Sequence, residues 1–193
     1  MLSPAMNRIT HQLCAYLLAL AAGWPLAAPV ISAQQPDHVG GLSGTYIPTP
    51  AAVVTAMLRM AHVGPGDVVY DLGSGDGRIV IAAVKEFGAT RGVGVELDGA
   101  RVQEANENAR RAGVADRVEF RRHDLFDTDL RPATVITLYM GQAVNLQLRP
   151  KLLAELEPGA RIVSHVFDMG DWMPADSRTV NGRPVFLWTI PAR

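Results

Sequence analysis

The stretch Val68-Val-Tyr-Asp-Leu-Gly-Ser-Gly-Asp-Gly-Arg-Ile-Val-Ile81 decides how the chain is read. The apolar run up to Leu72 suits an inner parallel strand, buried on both faces. Gly73, Gly75 and Gly77 follow at alternate positions, where the backbone must turn tightly and approach a ligand that any Cβ would strike. A helix is expected from Arg78 to Phe87, stopped by Gly88. Strand, glycine turn and helix open an α/β sheet whose ligands sit beyond the carboxyl ends of its strands. Asp71 stands near that end and points a carboxylate into the crevice.

That acid separates two kinds of ligand. A dinucleotide fingerprint, Gly-x-Gly-x-x-Gly, rests a pyrophosphate on the amides of a helix start, and its third glycine falls here on Arg78. An acid two residues before Gly73 repels a phosphate but accepts hydrogen bonds from an ammonium. The free amides still favour a carboxylate. A zwitterionic methionyl group meets both demands, so Gly73, Ser74, Gly75 and Gly77 are read as a binding loop for S-adenosyl-L-methionine. The alternative is a structural turn that holds nothing.

Outward from the loop, Arg91 to Glu96 reads as a second strand, ending in an acid 25 residues after Asp71. Its two carboxylate oxygens can take both hydroxyls of a ribose. Asp98 is a suitable N-cap for a helix through Ala112, ended by Gly113, whose charged positions, Arg101 among them, read as a solvated face. Val118 to Arg122 is the third strand and delivers His123-Asp124. An acid there can accept from an adenine amine, with Leu125 or Phe126 against the ring, while His123 reads as a surface or packing residue.

Three strands ending in Asp71, Glu96 and Asp124 resemble the class I S-adenosylmethionine-dependent methyltransferases. Pro48-Thr-Pro50, the loop through Ala83, Gly94-Val-Glu-Leu97 and Glu155-Leu-Glu-Pro-Gly-Ala-Arg-Ile-Val-Ser164 are similar to the ATP synthase c-subunit lysine methyltransferases and their bacterial relatives. The resemblance runs from about Tyr46 to Trp172. It implies a Rossmann-like seven-stranded α/β sheet, parallel with a final antiparallel hairpin strand, and methyl transfer to a protein lysine. A small-molecule methyltransferase and a non-catalytic nucleoside-binding module remain alternatives.

Ala133 to Leu138 is the fourth strand and ends in Tyr139-Met-Gly. Methyltransferases acting on base amines often carry Asn/Asp-Pro-Pro-Tyr here. The acid or amide and both prolines are missing, which argues against nucleic acid. Tyr139 either lines a methyl-accepting channel or belongs to the core. A helical region from Asn145 to Leu156, interrupted at Pro150, leads to a fifth strand, Arg161 to Phe167. His165 and Asp168 are candidates to orient or deprotonate an acceptor, and Trp172 to wall the pocket. Arg178 to Ile190, turning at Asn181-Gly182, reads as a hairpin. No zinc-ligand spacing, nucleophile elbow or P-loop lysine occurs, so no metal is expected.

Upstream, Thr49 is placed to cap a helix beginning at Pro50, with Val53, Val54, Met57, Leu58 and Ala61 on one face. Tyr46 and Thr49 either close the cofactor pocket or only pack and cap. With 193 residues and 48% hydrophobic content, one methyltransferase domain, 46–193, is the natural count. A net charge of −1 leaves no electrostatic footprint for nucleic acid, and the chain is expected to be a monomer or weak oligomer.

Residues 1–33 have the layout of a secretory signal: Arg8, an apolar run from Leu13, then Ile31-Ser-Ala33 as a cleavage site. Residues 34–45 read as a linker. The lone Cys14 falls in the removed piece, in keeping with export, to the periplasm if the chain is bacterial. The rival is an uncleaved membrane anchor, against which Pro25 and Pro29 count. The native protein is expected to begin near Gln34, and an intact mass still including Met1 points to the anchor instead.

Overall fold

A computed structural model of the chain describes residues 46–192. The expected signal or anchor, 1–33, and the expected linker, 34–45, lie outside the described residues. The elements run α1 (Ala51–Met60), β1 (Val68–Leu72), α2 (Arg78–Lys85), β2 (Arg91–Glu96), α3 (Gly99–Ala112), β3 (Val118–Arg122), β4 (Val135–Leu138), α4 (Gln142–Glu155), β5 (Arg161–His165), β6 (Asp176–Val180) and β7 (Arg183–Thr189). The strands form a seven-stranded sheet in the order β3-β2-β1-β4-β5-β7-β6. The first five run parallel, and β7 enters antiparallel between β5 and β6. Asn181 and Gly182, both at positive φ, make the hairpin turn that the sequence announces.

Alternation along each strand sorts side chains onto two faces. One face carries Val69, Val135, Val163, Val185 and Leu187, and these join the buried residues of α1, α2 and α3 in one core. On the other, Asn145 of α4 donates to Ser164 of β5. Burying about 25 cal/mol of stabilisation per Å² of apolar surface on both faces is what holds the central strands.

Several boundaries depart from the sequence reading. Helix α1 starts one residue later than expected, with Pro50 at its N-cap and no side-chain cap, because the Thr49 hydroxyl is engaged elsewhere. Helix α4 begins at Gln142 and is not interrupted at Pro150. Packing of Val144, Leu148 and Leu152 carries it through the one backbone bond that proline cannot make. Strand β4 starts at Val135, two residues later than expected. Strand β5 stops at His165 because Val166 takes φ +70°, a left-handed conformation that ends extended pairing.

The amino ends of β1, β4 and β5 are stapled at Asp67. Arg161 donates to both of its oxygens at 2.8 Å, Thr134 donates at 2.7 Å and the Gly64 amide at 2.9 Å. Burial works to raise this carboxyl pKa, but the Thr134, Arg161 and Gly64 bonds outweigh it and hold it below the usual value. Asp67→Ala is therefore expected to lose about 2 to 4 kcal/mol of unfolding free energy at neutral pH, since it strands a half-buried guanidinium. A depressed carboxyl contributes only while ionised, so in denaturant titrations the gap from wild type should close as pH falls below the ordinary aspartate range.

Candidate active site

The site is built at the carboxyl ends of the parallel strands. Register puts Asp71 opposite Gly94 on β2 and Thr137 on β4, all on the face covered by α1 to α3. Two residues further along, on the same face by alternation, stand Glu96, Tyr139 and His165. Asp71 is 2% exposed, and Thr137 donates to its Oδ1 at 2.6 Å. Burial raises its carboxyl to about 7; the Thr137 bond opposes this, and Glu96 and Asp76 add to it. No cation is among the groups that shift Asp71.

The glycine loop folds back on β2, with the Gly73 and Ser74 amides donating to the Val95 carbonyl. Glu96 closes the bend. Its Oε2 accepts from the Gly75 amide at 3.0 Å, and its Oε1 accepts from Leu97 and Asp98 at 2.8 and 3.1 Å. A carboxylate has about four acceptor positions, and with three taken by amides about one remains for the ribose. Gly75 and Gly77 have φ of +52° and +80°. A Cβ at Gly75 would lie 2.3 Å from the Tyr46 ring, and one at Gly77 would lie 2.4 Å from Phe120. The loop is thus bare because neighbours already fill the space beside it. At the tip of β3, Asp124 folds into a turn, its Oδ1 accepting from the Phe126 amide, with Leu125 buried and His123 exposed.

Residues 46–50 cross over this region. The Tyr46 hydroxyl accepts from the Asp76 amide at 3.4 Å, and the Arg101 guanidinium lies 4.0 Å over the Tyr46 ring. Arg101 therefore leaves the purely solvated face assigned to it from sequence. Arg78, tied to Asp76, donates to the Thr49 carbonyl at 3.1 Å. The Thr49 hydroxyl lies 3.2 Å from His165 Nδ1, which corrects its expected role as a helix cap.

On the β4–β5 side the surroundings are aromatic. The Tyr139 ring centroid lies 4.0 Å from that of His165 and 6.1 Å from that of Phe167. His165 is fully buried and its Nε2 has no partner; burial, then the charge of Arg183, push the imidazole down to about 4. Asp168 accepts from Gln142 Nε2 at 2.5 Å and from the Gly170 amide at 2.8 Å, bonds that lower its carboxyl. Neither group is set to take a proton near neutral pH. Trp172 packs on Trp188, with ring centroids 6.1 Å apart.

Sequence reasoning missed Thr137, Arg78 and Met140. Thr137 was legible as the lone hydroxyl in the apolar run Val135-Ile-Thr-Leu138. Met140 left no such signal, yet its Sδ lies 2.1 Å from where a Cβ on Gly73 would stand.

Comparison with known proteins places this geometry. Residues 71–176, more than half of the chain, match the model of the ANTKMT methyltransferase domain. A protein-lysine N-methyltransferase of Saccharolobus islandicus is 45% identical over 149 residues, covering 75% of this chain and 92% of that one. The mouse adenine nucleotide translocase lysine N-methyltransferase is 39% identical over 129 residues, 67% of this chain but 56% of that protein, so the chain spans just over half of its length. A solved structure described as an RNA methyltransferase from Salinibacter ruber, in complex with S-adenosyl-L-homocysteine, superposes with a TM-score of 0.74 and 54% identity over 76% of this chain and 95% of that one. The chain belongs to the ANTKMT methyltransferase domain family and is an S-adenosylmethionine-dependent methyltransferase.

Proposed function

We propose that the protein methylates a lysine side chain of a protein. The observation that carries this reading is the 45% identity to the archaeal protein-lysine N-methyltransferase across 92% of that protein's length. An RNA acceptor is the second reading, favoured by the name of the Salinibacter structure. Against it stand the net charge of −1 and the missing Asn/Asp-Pro-Pro-Tyr after β4. The large exposed side chains Ile47, Leu146 and Met173 suit a polypeptide better than a phosphate backbone.

Bound S-adenosylmethionine supplies an electrophilic methyl carbon. In this reading Asp71 receives the amino group of its methionyl part, Glu96 the ribose and Asp124 the adenine amine, with Leu125 against the base. Tyr46 and Thr49 cover the loop and exclude water. Tyr139 lines the acceptor channel, where an aromatic face stabilises positive charge. The acceptor amine gives its proton to solvent, since His165 and Asp168 are poor bases at neutral pH. The N-terminal sequence supports action at or beyond a membrane, by export or by anchoring.

Incubating the protein with methyl-labelled cofactor and separate pools of protein and RNA tests the acceptor class. Label in protein, recovered as methyllysine on hydrolysis, is the expected result, and label confined to RNA overturns it. Asp71→Ala and Glu96→Ala should each weaken cofactor binding in calorimetry by about 1 to 3 kcal/mol.

Asp71 also sets a pH dependence. Its folded value, about 7, lies above its ordinary 3.8, so the folded protein without ligand holds the extra proton across that window and loses stability as pH rises through it. An ammonium needs the ionised form. Cofactor affinity should therefore rise as pH passes upward through about 7, with proton release below that point, and Asp71→Asn should abolish the dependence.

A further inference from the structure

Segment 46–50 touches both halves of the site. On the cofactor side, Tyr46 meets the Asp76 amide and Arg101, and the Thr49 carbonyl receives Arg78. On the acceptor side, the hydroxyl of the same Thr49 meets His165, whose ring lies against Tyr139. Thr49 and His165 are both buried, at 4% and 0% exposure, so water does not substitute for either partner. The arrangement serves no helix cap, and among the described residues the imidazole takes part in no other hydrogen bond. Two buried polar groups from segments 116 residues apart, brought together beside Tyr139, need a reason that packing alone does not supply.

We propose that His165, held by Thr49 in one fixed neutral tautomer, is a positioning residue for Tyr139, so that the acceptor wall is assembled only when segment 46–50 is seated on the cofactor loop. The inference rests on the amine-methylation reading, in which Tyr139 lines the acceptor channel. The groups facing the imidazole are the neutral Tyr139 ring, the Thr49 hydroxyl and, from β7, the Arg183 charge, which opposes an imidazolium. A neutral His165 keeps the wall free of a charge that would repel the sulfonium and its amine. Release of Thr49 frees the ring to turn, and with it the face that Tyr139 offers.

Thr49→Val removes the hydroxyl at nearly constant volume, and Thr49→Ser restores it. Thr49→Val should lower kcat at saturating cofactor roughly five- to tenfold, the weight of one buried hydrogen bond, a loss that excess cofactor does not restore, and Thr49→Ser should recover most of it. A Thr49→Val enzyme with wild-type kcat, or a serine variant no better than the valine one, overturns the proposal. So does a loss that appears wholly as weaker cofactor binding.

A second readout needs no turnover. Imidazole nitrogen resonances of the wild-type protein, with His165 assigned from His165→Gln, should show one tautomer that does not titrate from about pH 5 to 7.5. Tautomer exchange, or titration at the ordinary histidine value, overturns the proposal. Wild-type protein that binds cofactor but methylates no amine defeats the amine reading, whereas an active wild type with an indifferent Thr49→Val defeats only this inference.

Discussion

Everything at the carboxyl edge of the sheet depends on a carboxylate placed where water cannot solvate it. Asp71 is enclosed between β2 and β4, receives one hydroxyl from Thr137 and faces two other acids. A fold that held nothing there would gain by replacing it with an apolar residue, because burying an unpaired charge is among the most unfavourable substitutions a core can carry. The acid makes sense only as half of a pair whose other half arrives with the ligand. The bare glycine loop has another cause, since Met140, Tyr46 and Phe120 occupy the space that a Cβ at Gly73, Gly75 or Gly77 would need.

The opposite edge shows how such an acid can be tolerated. Asp67 at the amino end of β1 is nearly as buried as Asp71, yet it is satisfied by Arg161, Thr134 and Gly64. One strand thus carries two carboxylates with opposite fates. The paired one is lowered and ties β1, β4 and β5 together, while the one without a cation is raised.

The parallel strands along the chain, the acids near their tips and the Asn181-Gly182 hairpin were legible in the sequence because each rests on a local rule: apolar runs, glycine where φ is positive, a turn dipeptide; the order of the strands in the sheet is not local and was not read. What escaped was set by tertiary contact. Thr49 reads as a cap until a buried histidine 116 residues away takes its hydroxyl. Arg101 reads as a surface charge until Tyr46 slides beneath it. Pro150 reads as an interruption until the apolar face of α4 proves strong enough to carry the helix past it. In each case the local reading gave way to a contact made elsewhere in the fold.

The division of polar groups across the sheet also limits what the acceptor can be. Carboxylates stand on the β1–β3 half, where the proposed reading seats the cationic nucleoside, whereas Tyr139, His165 and Phe167 cluster on the β4–β5 half. For an amine nucleophile this separation is needed, because a carboxylate beside it raises its pKa and keeps it protonated, while an apolar aromatic wall lowers it. Asp168, the nearest acid on that side by sequence, is tied to Gln142 and Gly170 and so is drawn into the loop's own hydrogen bonds. In the proposed reading, a lysine reaching the Tyr139 side loses its solvation, and with it the advantage of its proton, where a neutral lone pair is required.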